Sequence, residues 1–87
     1  MHYLYILKST RTGQLYIGQT SDLRRRFAEH NRGLSPATKS SAPFVLVYYE
    51  AYRGKGDALN REAKLKHFKQ GYTRLKERLV ESLKEQS

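Results

Sequence analysis

Arg26 and His30 stand four residues apart in the stretch SDLRRRFAEHN. On a helix that spacing puts a guanidinium and an imidazole on one face, a turn apart. A guanidinium can grip a phosphate through two parallel N–H donors, and an imidazole can give or take a proton near neutral pH. The pair also suits an ordinary solvated face, because it adjoins the basic run Arg24-Arg25-Arg26. Glu62 is the second candidate. Projected at about 100° per residue, it falls between Ala58 and Leu65 in an apolar arc that also holds Leu59, Ala63 and Phe68. A carboxylate aimed at a core is costly unless it is paired or binds a cation. Glu62 is therefore a metal ligand, half of an ion pair with a core-edge cation or a cap on a backbone group, and Lys66 and Lys69 project into the same arc. Tyr3 and Tyr5 share one face of a strand, since strand side chains alternate, and Tyr16 follows in the next. A phenol with a pKa of about 10 acts as a base only where strong positive charge lowers that value. Arg26 and a metal ion would supply such a field; without one, tyrosines in strands pack.

These residues need elements to position them. HYLYILK, residues 2–8, is rich in aromatic and β-branched types and reads as a buried strand. Thr10 to Gly13 forms a turn, and Leu15-Tyr16-Ile17 a second strand ending at Gly18, so the two make an antiparallel hairpin. Ser21 or Thr20 caps a helix over about 22–32, with Asp22 in its first turn and Leu23 and Phe27 as its apolar stripe. GLSPATKSSAP, residues 33–43, is a polar loop in which Pro36 and Pro43 exclude a helix. FVLVYYEAY, residues 44–52, is the most strand-like run and is expected at the centre of the sheet. Asp57 caps a helix from 58 to about 69, Gly71 breaks it, and a last helix over about 73–85 carries Leu75, Leu79 and Leu83. The order ββαβαα describes an α+β fold, a small antiparallel three-stranded sheet flanked by helices, in one domain spanning residues 1–87.

Composition narrows the function classes. The 87 residues carry 17 Lys and Arg against 8 Asp and Glu, a net charge of +9. Such a field favours polyanions, nucleic acid first and an anionic membrane second. The excess is spread along the chain, +4 over residues 1–50 and +5 over 51–87, so no basic tail accounts for it. The chain has no cysteine, which excludes disulfides and thiolate zinc sites and suits a reducing cytoplasm. No segment is apolar enough to span a membrane, and MHYLYILKS lacks the basic leader and cleavage site of a signal peptide. Neither a GxxxxGK[ST] phosphate loop nor a serine elbow is present.

The order of these pieces resembles the GIY-YIG nuclease family. Tyr3-Leu4-Tyr5 corresponds to the first signature, with Tyr3 where the family has Gly, and Tyr16-Ile17-Gly18 matches the second. The helix after Gly18 with Arg26 and His30, and the ALNRE segment ending at Glu62, follow at matching spacings, so the likeness covers residues 3 to about 69. It implies a metal-dependent endonuclease acting on DNA, structure-dependent and of low sequence specificity. By that resemblance Tyr5 helps deprotonate the attacking water and Tyr16 orders water or phosphate beside it. Arg26 stabilises the charge on the phosphorus, His30 assists the base or contacts phosphate, and Glu62 holds one divalent cation such as Mg²⁺. Arg24, Arg25, Lys66 and Lys69 would contact DNA. The chain has no Asn in GYTRLKERL and has Gln19 where some members carry Lys. The competing readings are a nucleic-acid-binding module with negligible turnover and a membrane-surface or protein-interaction domain.

Overall fold

In the computed structural model of the chain, residues 1–84 are described, the Lys69 side chain excepted. The elements are β1 (His2–Ser9), β2 (Leu15–Thr20), α1 (Leu23–Asn31), a single 3-10 turn (Lys39–Ser41), β3 (Phe44–Tyr52), α2 (Lys55–His67), α3 (Lys69–Arg78) and a short α4 (Val80–Leu83). The fold is α+β, as the order of elements predicts. The sheet runs β2-β1-β3 and both pairings are antiparallel.

The central strand is β1, not the residue 44–52 run. Leu4, Tyr5, Ile6 and Leu7 are all buried, so β1 is covered on both faces. Strand β3 carries a carboxylate, Glu50, and exposes Val45 and Tyr49. A run of β-branched and aromatic residues shows strand preference; apolar character on both faces shows centrality. One face of the sheet packs Leu4 and Ile6 against Leu65 and Leu75 of α2 and α3. The other packs Tyr5, Leu7 and Phe44 with Leu23 and Phe27 of α1. The β1–β3 register shifts between Ile6 and Leu7, which oppose Tyr48 and Leu46 and skip Val47. Because the alternation is broken there, Leu46 and Tyr49 both lie on the α1 face, opposite Leu7 and Tyr5.

The hairpin turn forms where expected. Gly13 adopts φ +77°, and the buried Ser9 hydroxyl accepts from the Arg11 and Thr12 amides at 3.1 and 3.0 Å. Helix α1 is capped by Asp22, whose carboxylate accepts from the Arg25 amide at 3.1 Å. Thr20 is not the cap; its hydroxyl accepts from the Asp22 amide at 3.1 Å and sets the approach to the helix. One 3-10 turn fits between Pro36 and Pro43 in the loop that follows. Helix α2 begins earlier than expected, at Lys55 after Gly54, which leaves Asp57 inside its first turn against the positive end of the helix. The break before α3 falls at Phe68, in extended conformation (φ −115°, ψ 93°), and Gly71 lies within α3. The expected 73–85 helix is thus two helices, interrupted at Leu79, and its end at 85 lies outside the described residues.

Candidate active site

Because β2 is an edge strand, side chains from both faces of the sheet can converge along its outer side. A cavity of about 590 Å³ lies there, lined among others by Tyr5, Tyr16, Gly18, Arg26, His30, Glu62 and Lys66. The central strand supplies Tyr5, which is buried and opposite Gly18 of β2. A Cβ at position 18 would collide with the Tyr5 hydroxyl and ring, so the glycine makes room for the phenol.

Helix α1 delivers His30 from its last turn. His30 Nε2 lies 3.0 Å from the Tyr5 hydroxyl, and Nδ1 lies 2.7 Å from the hydroxyl of Thr38 in the loop. Phe44 meets the imidazole edge-on, with 5.8 Å between ring centroids. Burial lowers the His30 pKa below its ordinary 6.5, and the positive charge of Arg26 adds to the effect. Burial raises the Tyr5 phenol above its ordinary 10.0; Arg26 opposes this without reversing it, and the nearby Glu62 and Glu29 carboxylates reinforce it. Of the two sources of positive charge expected to lower the Tyr5 pKa, Arg26 alone does not suffice: burial outweighs the guanidinium.

Arg26 sits one turn before His30. Its guanidinium donates to Glu29 at 3.2 Å and to the Ser35 hydroxyl at 3.1 Å, with its side chain about one-third exposed to the cavity side. Burial works against its charge, but Tyr5 and Glu29 together raise its pKa. The Tyr16 hydroxyl pairs at 2.8 Å with Ser41, and its ring meets Phe44 edge-on at 5.4 Å. Tyr16 therefore lines the cavity while tying the 33–43 loop to the sheet.

Glu62 reaches the cavity from α2, with its side chain 22% exposed and Lys66 Nζ 3.2 Å away. It does not lie in mid-core as the projection implied. Ala58 and Leu65 are the buried residues of α2, whereas Leu59, Ala63 and Phe68 are exposed, so the apolar arc is narrower and Glu62 stands at its edge. The preceding residue, Arg61, turns the other way. It donates to Glu50 of β3 through Nε at 3.0 Å and through a terminal nitrogen at 3.2 Å. Glu50 also accepts from the Tyr48 hydroxyl at 2.5 Å and from that of Tyr52. Burial alone would raise the Glu50 pKa; Arg61 and the two phenols outweigh it, while burial and Glu50 push Tyr52 up to about 12. This cluster fixes α2 to β3 one residue before Glu62, and its sequence signal was the carboxylate inside FVLVYYEAY.

Five residues singled out in the sequence, Tyr5, Tyr16, Arg26, His30 and Glu62, thus meet in one cavity, joined by Lys66. Arg24 and Arg25 lie outside it on the exposed side of α1, where Arg25 pairs with Glu29 at 3.4 Å. The Lys69 side chain lies outside the description. Ser35, Thr38 and Ser41 were not singled out; their hydroxyls are ordinary loop residues in sequence and gain partners only through the fold. Among the described residues no group of three or more His, Cys, Asp or Glu side chains converges as a metal cluster, so any cation held here would rest on Glu62.

Known proteins resemble this chain over most of its length. The sequence profile of the GIY-YIG catalytic domain matches residues 1–76. A UPF0213 protein of Staphylococcus haemolyticus is 41% identical over 68 residues, covering 77% of this chain and 82% of its own. A UPF0213 protein of Streptococcus pneumoniae is also 41% identical over 68 residues, covering 77% of this chain and 68% of its own. Among solved structures, the solution NMR structure of a UPF0213 protein from Bacillus halodurans is 37% identical, with a TM-score of 0.53 over 92% of this chain and 82% of that one. With its two tyrosine strands, its Arg–His helix and its carboxylate helix assembled around one cavity, the chain belongs to the GIY-YIG nuclease family and is similar to that family's small UPF0213 proteins.

Proposed function

We propose that the chain is a divalent-cation-dependent endonuclease that hydrolyses phosphodiester bonds in DNA, dependent on substrate structure and of low sequence specificity. The observation that carries this reading is the 3.0 Å contact between the Tyr5 hydroxyl and His30 Nε2 in a cavity shared with Arg26 and Glu62. His30 is neutral near pH 7, because burial and Arg26 hold its pKa down. In the tautomer that carries its proton on Nδ1, Nδ1–H donates to the Thr38 hydroxyl at 2.7 Å and Nε2 accepts from Tyr5 at 3.0 Å. Tyr5 need not be a preformed phenolate. Its oxygen takes a proton from the attacking water as its own proton passes to His30 Nε2, so no isolated phenolate charge has to persist in the buried site. Arg26 faces the place where negative charge grows on the phosphate, and Glu29 and Ser35 hold its guanidinium in position.

Glu62 fits a hard divalent cation. Its carboxylate lines the cavity, and its hydrogen-bond partner is the half-exposed Lys66, which a bound cation can displace. A single carboxylate suits Mg²⁺, which keeps several of its waters. When bound, the cation supplies charge neutralisation at the phosphate and the leaving oxygen. Sequence specificity is low because a +9 chain engages DNA chiefly through phosphates.

Mg²⁺-dependent cleavage of duplex, forked, flap and single-stranded DNA tests the reading. Tyr5→Phe keeps the ring and removes the relay, so cleavage falls by roughly 10²- to 10⁴-fold. Glu62→Gln abolishes Mg²⁺-dependent cleavage. Both variants keep their DNA affinity, and their melting temperatures move by only a few degrees. A Tyr5→Phe protein as active as the parent rejects the relay, and a destabilised Glu62→Gln protein of normal specific activity removes Glu62 from the site.

A further inference from the structure

On the flank of α1 away from the cavity lies a second groove, of about 430 Å³, floored by the sheet and lined by Tyr3, Leu23, Arg24, Phe27, Leu46 and Tyr49. The bulge in β3 builds it, by placing Leu46 and Tyr49 on the same face of the sheet. Tyr49 is 52% exposed, although its strand neighbours on both sides are less so. Tyr3 meets it edge-on, with ring centroids 6.0 Å apart. Two aromatic side chains and an exposed arginine therefore stand at an open groove in a chain of net charge +9. Asp22, the one carboxylate at the groove, caps α1, whose positive end offsets part of its charge.

We propose that this groove receives an unpaired base of the nucleic-acid substrate, stacked on Tyr49 and walled by Tyr3, with Arg24 on the adjoining phosphate. The inference rests on the nuclease reading and deepens it by assigning the dependence on substrate structure to particular residues. Every base has a π-face, so stacking on tyrosine is tolerant of sequence but requires a base released from its partner. Tyr3 lies two residues from Tyr5 on the same face of β1, about 7 Å along the strand. A strand engaged near Tyr5 thus passes within reach of the groove. Charge decides between occupants: an acidic strand complements Arg24, whereas a second copy of this +9 chain would bring like charges together.

The test is fluorescence anisotropy, without cleavage, on a single-stranded oligonucleotide and on the same sequence as a blunt duplex. The half-exposed ring of Tyr49 can be removed without opening the core, so Tyr49→Ala is the main variant. Single-strand affinity is expected to fall by about 5- to 100-fold, the range for loss of one stacked base, with duplex affinity within about twofold. Tyr49→Phe should keep the single-strand affinity, because stacking needs the ring and not the hydroxyl. A 2-aminopurine placed in the single strand should lose fluorescence on binding the parent and not on binding Tyr49→Ala. Unchanged single-strand binding by Tyr49→Ala, or an equal loss on both substrates, overturns the proposal while leaving the nuclease reading standing. So does a dimer that Tyr49→Ala converts to monomer without altering single-strand affinity, since the groove would then join two copies. Failure of the parent protein to bind either substrate overturns both readings.

Discussion

At the scale of single residues the most exposed consequence is the pH response of His30. Its pKa in the folded protein lies below the ordinary 6.5, so as pH falls through that window the unfolded chain binds a proton before the folded one does. Stability rises with pH wherever the unfolded state holds more protons. The His30 contribution is therefore intact above about pH 6.5 and lost on acidification towards the folded pKa. Melting temperatures between about pH 7.5 and 5.5 should fall for the parent and fall less steeply for His30→Gln. Cleavage should decline in the same window, because a protonated Nε2 cannot accept from Tyr5. Identical melting slopes would point to another titrating group. The candidates Tyr5, Arg26, His30 and Glu62 were legible in the sequence because their chemical types recur at helical and strand spacings. Their partners were not. Thr38 and Ser35 are unremarkable hydroxyls until the loop folds over α1, and the Tyr5–His30 contact joins residues 25 apart. Burial of the strand that carries Tyr5 was legible, but not that burial would outweigh the neighbouring arginine in setting the direction of the Tyr5 pKa shift.

Among the elements, the hairpin carries the tightest fit. Gly18 is required by the Tyr5 phenol packed over it, not by an unusual backbone angle. Gly18→Ala forces Tyr5 away from His30 and overfills a packed sheet, a destabilisation of about 1–3 kcal/mol. Denaturant melts should show that loss, and a doubly substituted Gly18→Ala, Tyr5→Ala chain should recover part of it. Absence of any recovery would mean that something other than the phenol opposes a side chain there. The strands, the turn at Gly13 and the first helix were legible from alternation, glycine and the Asp22 region. The sheet order was not, because β3 has the stronger strand composition and β1 the two apolar faces. Helix α2 was misplaced at its start because Asp57 suits a cap, yet Gly54 occupies that position and the carboxylate serves inside the first turn. Glu50 and Arg61 escaped notice because an acid in a strand and a base in a helix become an ion pair only once α2 is laid across β3.

For the molecule as a whole the basic charge is the dominant long-range feature. Binding to DNA releases counterions, so affinity should drop at least tenfold between about 50 and 200 mM salt. A flat titration would show that the basic surface is not the binding surface. The sheet order has a further consequence for how the molecule opens. β1 is bonded to strands on both sides and buried on both faces, whereas α4 is a short terminal helix with no buried residue. Local opening begins where contacts are few and reaches doubly bonded strands last. In deuterium exchange the amides of Leu4 to Leu7 should therefore be the slowest, exchanging only through global unfolding, while those of α4 exchange early. The residue proposed to handle the proton of the attacking water then rides on the last strand to let solvent in, and its position relative to Gly18 survives fluctuations that release the C-terminal helices.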